Sequence, residues 1–328
     1  MFTQGKSSPK FFTHFLIGLI SLLLISMVAC IPPEIVATPT STATETLMPT
    51  ATATPTPLPT LTSGNNEYTM TVSGLERKYL LHIPPGVDGS KPLPILFALP
   101  AYDIEVFFEV SDMQYVTGLS DISDQNGFLL VFVSGFSGTW NAGSCCGAAA
   151  DQKVDENAFF KQMLVDIGKI APIDPKRVYV VGYQLGGMMA YRLACEMSDT
   201  FAGIASVAGG LTFSPCQPAQ PVSIIQIHGL KDLLVPYQGG VGGFMGGKTT
   251  FLSVQDTIAS WVQLDGCTGS PQTDKQGTIG THTVYSACKG GSAIDLYVID
   301  GLGNNWPTQY VMPASQMIWD FFKAHPKP

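Results

Sequence analysis

From Gly64 onward the apolar residues fall into two patterns: short unbroken runs, and longer stretches in which they recur every three or four positions. Runs of four to eight apolar residues suit strands buried on both faces, and the three-four spacing suits helices that bury one face. "KYLLHIPP" and "PLPILFALP" predict early strands, and "GFLLVFVSGF" and "RVYVVGY" predict buried parallel strands. "DENAFFKQMLVDIGKIA" begins with an Asp suited to capping and predicts the helix that crosses between those last two strands. Further strands are predicted at "FAGIASVAG", "PVSIIQIHG" and "AIDLYVID", and further helices at "GGMMAYRLAC", "SVQDTIASWVQL" and "ASQMIWDFFKAH". This alternation predicts one α/β domain, a mostly parallel central sheet flanked by helices. No internal repeat is visible.

The first 63 residues follow different rules. Lys6 and Lys10 precede the apolar run "FLIGLISLLLISMV", which is short for a membrane span, and Ala29 stands just before Cys30. The arrangement resembles a lipoprotein signal over residues 1–30, with cleavage leaving Cys30 as the lipid-bearing residue; an ordinary signal peptide or an uncleaved anchor is the alternative. Residues 31–63 are dominated by Pro and Thr and hold too few large apolar groups for a core, so they read as an extended tether. The folded domain is therefore expected over 64–328, exported and held at a cell surface or outside the cell.

Composition narrows the partners. A net charge of −8 without any basic run argues against nucleic acid. Six cysteines remain beside Cys30, an even number that fits an oxidising compartment. Cys195 with Cys216 and Cys267 with Cys288 each close a short loop between neighbouring elements and are the favoured pairs. Cys145 and Cys146 are either a vicinal disulfide or two thiols. No CxxC pair exists, the histidines are scattered, and Asp103, Glu105, Asp112 and Asp232 match no metal-loop spacing. Neither a metal nor another cofactor is expected.

The stretch "VYVVGYQLGGMMAYRLAC" runs from a predicted strand into a predicted helix through Gly182, Gly186 and Gly187. Glycines at this spacing serve the GxSxG turn, which holds its central residue exposed in a strained backbone. Here that residue is Gln184. Asp232 in "HGLKDLLVPY" and Asn304 in "VIDGLGNNWP" follow in the chain order of nucleophile, acid and base.

With "WNAGSCCG", "DPKRVYVVGYQLGGMMAYRLAC", "HGLKDLLVPY", "DGC" and "GLGNNWP" in view, residues 75–323 resemble the secreted polyhydroxybutyrate depolymerase and feruloyl or acetylxylan esterase family of α/β-hydrolases. The resemblance implies serine ester hydrolysis, in which a serine attacks, a histidine carries the proton, an aspartate orients the histidine and backbone amides hold the oxyanion. Those roles fall on Gln184, Asn304 and Asp232, so only the acid is retained. A carboxamide nitrogen is no nucleophile, and asparagine has no group titrating near neutral pH. The family's usual HG dipeptide is replaced by Pro100, Ala101 and Tyr102, and proline has no amide hydrogen to donate. Leu185, with Ala101 or Tyr102, is left to supply oxyanion donors.

Two functions follow from this. In the first, the pocket is kept and hydrolysis lost, and the cleft binds an ester, polyester, saccharide or protein ligand over a floor formed by Gln184, Asp232 and Asn304. Trp140, Tyr183, Tyr237 and Trp306, and Tyr102 beside them, are its candidate ligand-stacking residues. In the second, a carboxylic ester hydrolase acting on polyester or plant-polysaccharide esters works through relocated chemistry at Cys145, Cys146 or His228.

Overall fold

The computed structural model describes residues 61–101, 110–243 and 249–328, the side chains of 110–112 excepted. The predicted signal, Cys30, the tether, Tyr102, Asp103 and Glu105 lie outside the described residues, as does the Asp112 side chain. Strands β1 (Gly64–Val72) and β2 (Leu75–Ile83) form a hairpin and are followed by β3 (Leu93–Leu99). Helices α1 (Val110–Thr117) and α2 (Leu119–Asn126) lead to β4 (Leu129–Val133), and α3 (Gly147–Asp151) and α4 (Glu156–Ile170) to β5 (Ile173–Tyr183). Next come α5 (Leu185–Glu196), β6 (Gly203–Val207), β7 (Ser223–Gly229), the two-residue strands β8 (Gly240–Val241) and β9 (Thr250–Phe251), and α6 (Val254–Leu264). The chain closes with β10 (Gln272–Gln276), β11 (Gly280–Tyr285), β12 (Ile294–Ile299) and α7 (Ala314–Ala324).

Ten strands make one sheet in the order β1-β2-β4-β3-β5-β6-β7-β12-β11-β10. The six from β4 to β12 run parallel, and antiparallel strands extend both edges. Every residue of β4, β6 and β7 is buried, which is why their sequences are nearly unbroken apolar runs. One face of the sheet packs α4, α5 and α6 through Phe159, Leu193 and Trp261, and the other packs α1, α2 and α7 through Met113, Leu119 and Trp319.

The sequence of α4 sets its limits. The Asp155 carboxylate accepts the Ala158 amide at 2.9 Å, and Phe159, Phe160, Met163 and Ile167 form the buried stripe before Pro172 stops the helix. Glu156 in the first turn is fully buried against Arg77 of β2 at 3.0 Å. Burial depresses the arginine pKa and raises the glutamate pKa, and the mutual attraction of the two opposes both shifts.

Two expected disulfides are present, Cys195–Cys216 and Cys267–Cys288, and Cys145 is joined to Cys146. Because the central strands are parallel, the loops after β3, β5, β6, β7 and β12 all emerge at one end of the sheet.

Candidate active-site region

The elbow between β5 and α5 is built by close backbone crossing. A Cβ on Gly182 would lie 2.0 Å from the Gly186 carbonyl oxygen, and one on Gly186 would lie 2.2 Å from the Leu99 carbonyl oxygen, so no other residue fits at either place. Gln184, pinned between them, sits at φ 51 and ψ −109. A side-chain-bearing residue in that region carries about 1–3 kcal/mol of strain. Its amide donates to the Val207 carbonyl at 2.8 Å, and its carbonyl already accepts the Met188 amide at 3.1 Å, opening α5.

Gln184, Asp232 and Asn304 meet in one hydrogen-bonded chain. Asn304 Nδ2 donates to Asp232 Oδ2 at 2.7 Å and to the Ala208 carbonyl at 3.3 Å, and Gln184 Nε2 donates to Asn304 Oδ1 at 3.0 Å. The direction of this relay is set from the buried end. The other oxygen of Asp232 accepts the amides of Leu234 and Val235 at 2.9 and 2.8 Å. A carboxylate and a carbonyl accept only, so the Asn304 NH2 must face them and its oxygen must face Gln184. Tyr183 completes the support by donating its hydroxyl to the Asn304 carbonyl at 2.9 Å. Burial, then the Asp232 charge, pushes that phenol up to about 12, which keeps it protonated as a donor.

This chain has the layout of a triad and none of its proton chemistry. Neither amide can take a proton from an attacking group at neutral pH, and Gln184 offers no hydroxyl or thiol.

The candidate groups for relocated chemistry have partners within the protein. His228 is fully buried: its Nδ1 accepts from Gln226 Nε2 at 3.0 Å, and its Nε2 lies 2.8 Å from the Val235 carbonyl and 3.3 Å from Asp232. Gln226 is held in turn by the Tyr191 hydroxyl at 2.8 Å. Both ring nitrogens thus have partners inside the protein, which is a structural role. Cys145 and Cys146 are joined to each other. Ser144 is tied to the Thr212 carbonyl by its amide and by its hydroxyl.

The oxyanion side is equally altered. Leu185 holds the first amide of α5, a position with no intrahelical acceptor. The carbonyl of Pro100 accepts the Trp140 indole at 3.3 Å, and Ala101 is buried beside it. Trp140 corrects the sequence reading, because it is 0% exposed and presents no ring face to a ligand. It packs below the loop, where the Arg77 guanidinium lies 5.8 Å from its ring centroid. Tyr183, Tyr237 and Trp306 are each under a tenth exposed, and Tyr183 meets Trp306 edge to face at 6.2 Å. They shape the site from beneath more than they line it. Among the described residues no group of three His, Cys, Asp or Glu side chains is placed to hold a metal.

Sequence reasoning brought Gln184, Asp232 and Asn304 to one place but missed Ala208, whose contribution is a backbone carbonyl that leaves no residue signature. It also missed Gln226, although a lone glutamine inside the apolar run "SIIQIHG" marks a buried polar group in need of partners.

Comparison with known proteins places this geometry. A model of the Phospholipase/Carboxylesterase family matches residues 146–242. Feruloyl esterase B of Piromyces equi is 31% identical over 264 residues, 77% of this chain and 46% of that protein, so the chain spans about half the length of that relative. Feruloyl esterase C of Emericella nidulans is 26% identical over 273 residues, 80% of this chain and 88% of the relative. Among solved structures, an acetyl xylan esterase from Aspergillus awamori shares the fold with a TM-score of 0.54 at 14% identity, covering 79% of this chain and 99% of that one. The chain belongs to the esterase-type α/β-hydrolases, the family of the feruloyl and acetylxylan esterases.

Proposed function

We propose that this protein is an exported, surface-tethered member of the family whose cleft binds an ester-bearing ligand without cleaving it. The observation that carries the reading is the amide relay: the two positions that would move a proton and attack the ester hold Asn304 and Gln184, locked to each other and to Asp232. The relay offers fixed dipoles in place of a reactive pair, which suits recognition of neutral polar groups. The relatives are named for feruloyl and acetylxylan esters, and a polysaccharide or polyester chain bearing such groups is the ligand class that follows from the kinship. The Pro/Thr-rich segment 31–63 and a lipid on Cys30 supply the tether.

The test uses purified residues 56–328, a stretch that contains every residue of both cores. The domain is expected to leave p-nitrophenyl acetate at the background rate, to resist labelling by a fluorophosphonate, and to bind feruloylated xylo-oligosaccharide saturably in calorimetry. Turnover above background that disappears in Cys145→Ser or His228→Gln would overturn the reading in favour of relocated catalysis.

A further inference from the structure

Ten large hydrophobic side chains stand exposed among the described residues, and nine of them belong to the segments at the end of the sheet that carries Gln184; the tenth, Val165, is on α4. Tyr310, Tyr115 and Leu233 are 91%, 90% and 81% exposed, and Val241 and Leu252 stand out beside them. Single exposed apolar residues are ordinary on a protein surface, but their concentration at one end is not.

The segments are stitched into one face. The Lys231 amide donates to the Leu302 carbonyl at 2.9 Å, joining the loop after β7 to the loop after β12. Gly243 donates to Leu233 and Gly242 to Thr249, which brings in β8 and β9, and Val254 donates to Tyr237 at the head of α6. The Ser315 hydroxyl, at the start of α7, donates to the Thr117 carbonyl at the end of α1, two residues from Tyr115. These bonds gather the exposed tips into an apolar rim at the Gln184 end of the sheet.

Charge decides what can cover it. Residues 233–243, 249–255 and 301–319 contain no Asp, Glu, Lys or Arg, and Lys231, Lys248 and Asp112 interrupt the segments around them, so the rim is poor in charge, and the overall charge of −8 disfavours an anionic surface. Leucine and valine tips flanked by exposed tyrosines, which combine an apolar ring with a polar hydroxyl, match the boundary between lipid headgroups and acyl chains. The chain itself places such a boundary nearby. Sixty residues precede Leu61, among them the apolar run "FLIGLISLLLISMV". The stretch from Cys30 to Leu61 spans at most about 100 Å, against roughly 50 Å for the width of a domain of this size. Any face of the domain can then touch the membrane that holds the tether.

We propose that the rim seats the domain on a lipid bilayer with neutral or zwitterionic headgroups, with the cleft facing that surface. The proposal rests on the tethered reading above, but its test does not, because residues 56–328 lack the apolar run and Cys30. Flotation of that domain with phosphatidylcholine vesicles is expected to carry the protein with the lipid. Leu233→Asp combined with Tyr310→Asp, and separately Tyr115→Asp, should weaken the partition at least tenfold, while Val165→Asp leaves it unchanged. Unchanged thermal midpoints in these surface variants tie any loss to the rim. A wild-type domain that stays in solution with the vesicles, a Val165→Asp variant that loses as much as the rim variants, or adsorption to neutral polyester particles without vesicle binding would each overturn the proposal. Ester hydrolysis and oligosaccharide binding are read in separate assays, so failure of the binding function and failure of the rim are told apart.

Discussion

Exchanging both amides of the relay for the family's own residues, Gln184→Ser with Asn304→His, tests whether the scaffold still supports hydrolysis. The two changes are opposite in length. A serine oxygen lies two bonds nearer its Cβ than glutamine Nε2 does, and histidine Nε2 lies one bond farther from its Cβ than asparagine Oδ1 does. Together they refill most of the same gap. The histidine Nδ1 falls where Asn304 Nδ2 now donates to Asp232 at 2.7 Å, leaving Nε2 aimed at the new hydroxyl. Each change alone is costly. Gln184→Ser removes the hydrogen bond that the half-buried Asn304 oxygen accepts, worth about 0.5–1.5 kcal/mol. Asn304→His drives a ring into Gln184, an overpacking cost of about 1–3 kcal/mol. A double-mutant cycle by urea denaturation should therefore return a favourable coupling of about 2 kcal/mol. For activity, a complete triad is worth about 10⁶ in kcat, and an absent oxyanion donor removes about 10²–10³ of that, because Pro100 stands where the HG dipeptide would. The double variant is expected to hydrolyse p-nitrophenyl acetate about 10³–10⁴-fold faster than wild type and to accept a fluorophosphonate. Additive stabilities within about 0.5 kcal/mol, with hydrolysis no faster than in Gln184→Ser alone, would refute the reasoning.

Two further outcomes follow from buried charge. Asp265 is fully buried at the end of α6, and desolvation pushes it up to about 6, against the opposing pull of Ser292, the Val222 amide and Lys289. The folded state then holds a proton that the unfolded chain has already released, so stability is complete below about pH 4 and falls as pH rises to about 6. The loss is about 3 kcal/mol, and Asp265→Asn should abolish that slope in urea titrations between pH 4 and 7. Arg77 and Glu156 form a buried pair at 3.0 Å. Arg77→Leu should lower stability by about 3–5 kcal/mol by stranding the carboxylate, whereas Arg77→Leu with Glu156→Leu recovers most of it, measured by thermal unfolding.

The parts of this fold that the sequence revealed are those whose side chains do the work. β4, β6 and β7 are buried on both faces and read as apolar runs, and α4 declares itself by Asp155 and its phenylalanine stripe. β10, "QTDKQ", is almost wholly exposed and exists because its backbone pairs with β11, so no hydrophobic pattern marks it. β1 escaped for a related reason: it is a polar edge strand held by its ladder to β2. The site divides in the same way. Gln184, Asp232 and Asn304 were legible by position in chain order, but the direction of their hydrogen bonds depends on the Ala208 carbonyl and the Leu234 and Val235 amides, which any residue would supply. Trp140 was misread because an indole in a loop and an indole beneath one look alike in a string of letters.

The strained backbone of Gln184 bears on how such elbows should be interpreted. A conformation costing about 1–3 kcal/mol is usually explained by the exposure of a nucleophile, yet here it persists with none. The contacts around it supply another reason. Gly186 sits against the end of β3 and Gly182 against Gly186, so α5 can start only where the chain has turned sharply at residue 184. Two backbone hydrogen bonds, to Val207 and from Met188, lock the turn from both sides. Relaxing Gln184 would require moving the helix off the sheet and losing Met188, Met189 and Leu193 from the core, far more costly than the strain itself. The elbow is thus held by packing that does not depend on catalysis. Chemistry at this site is decided by which side chains occupy positions 184 and 304, and the backbone that presents them survives the change.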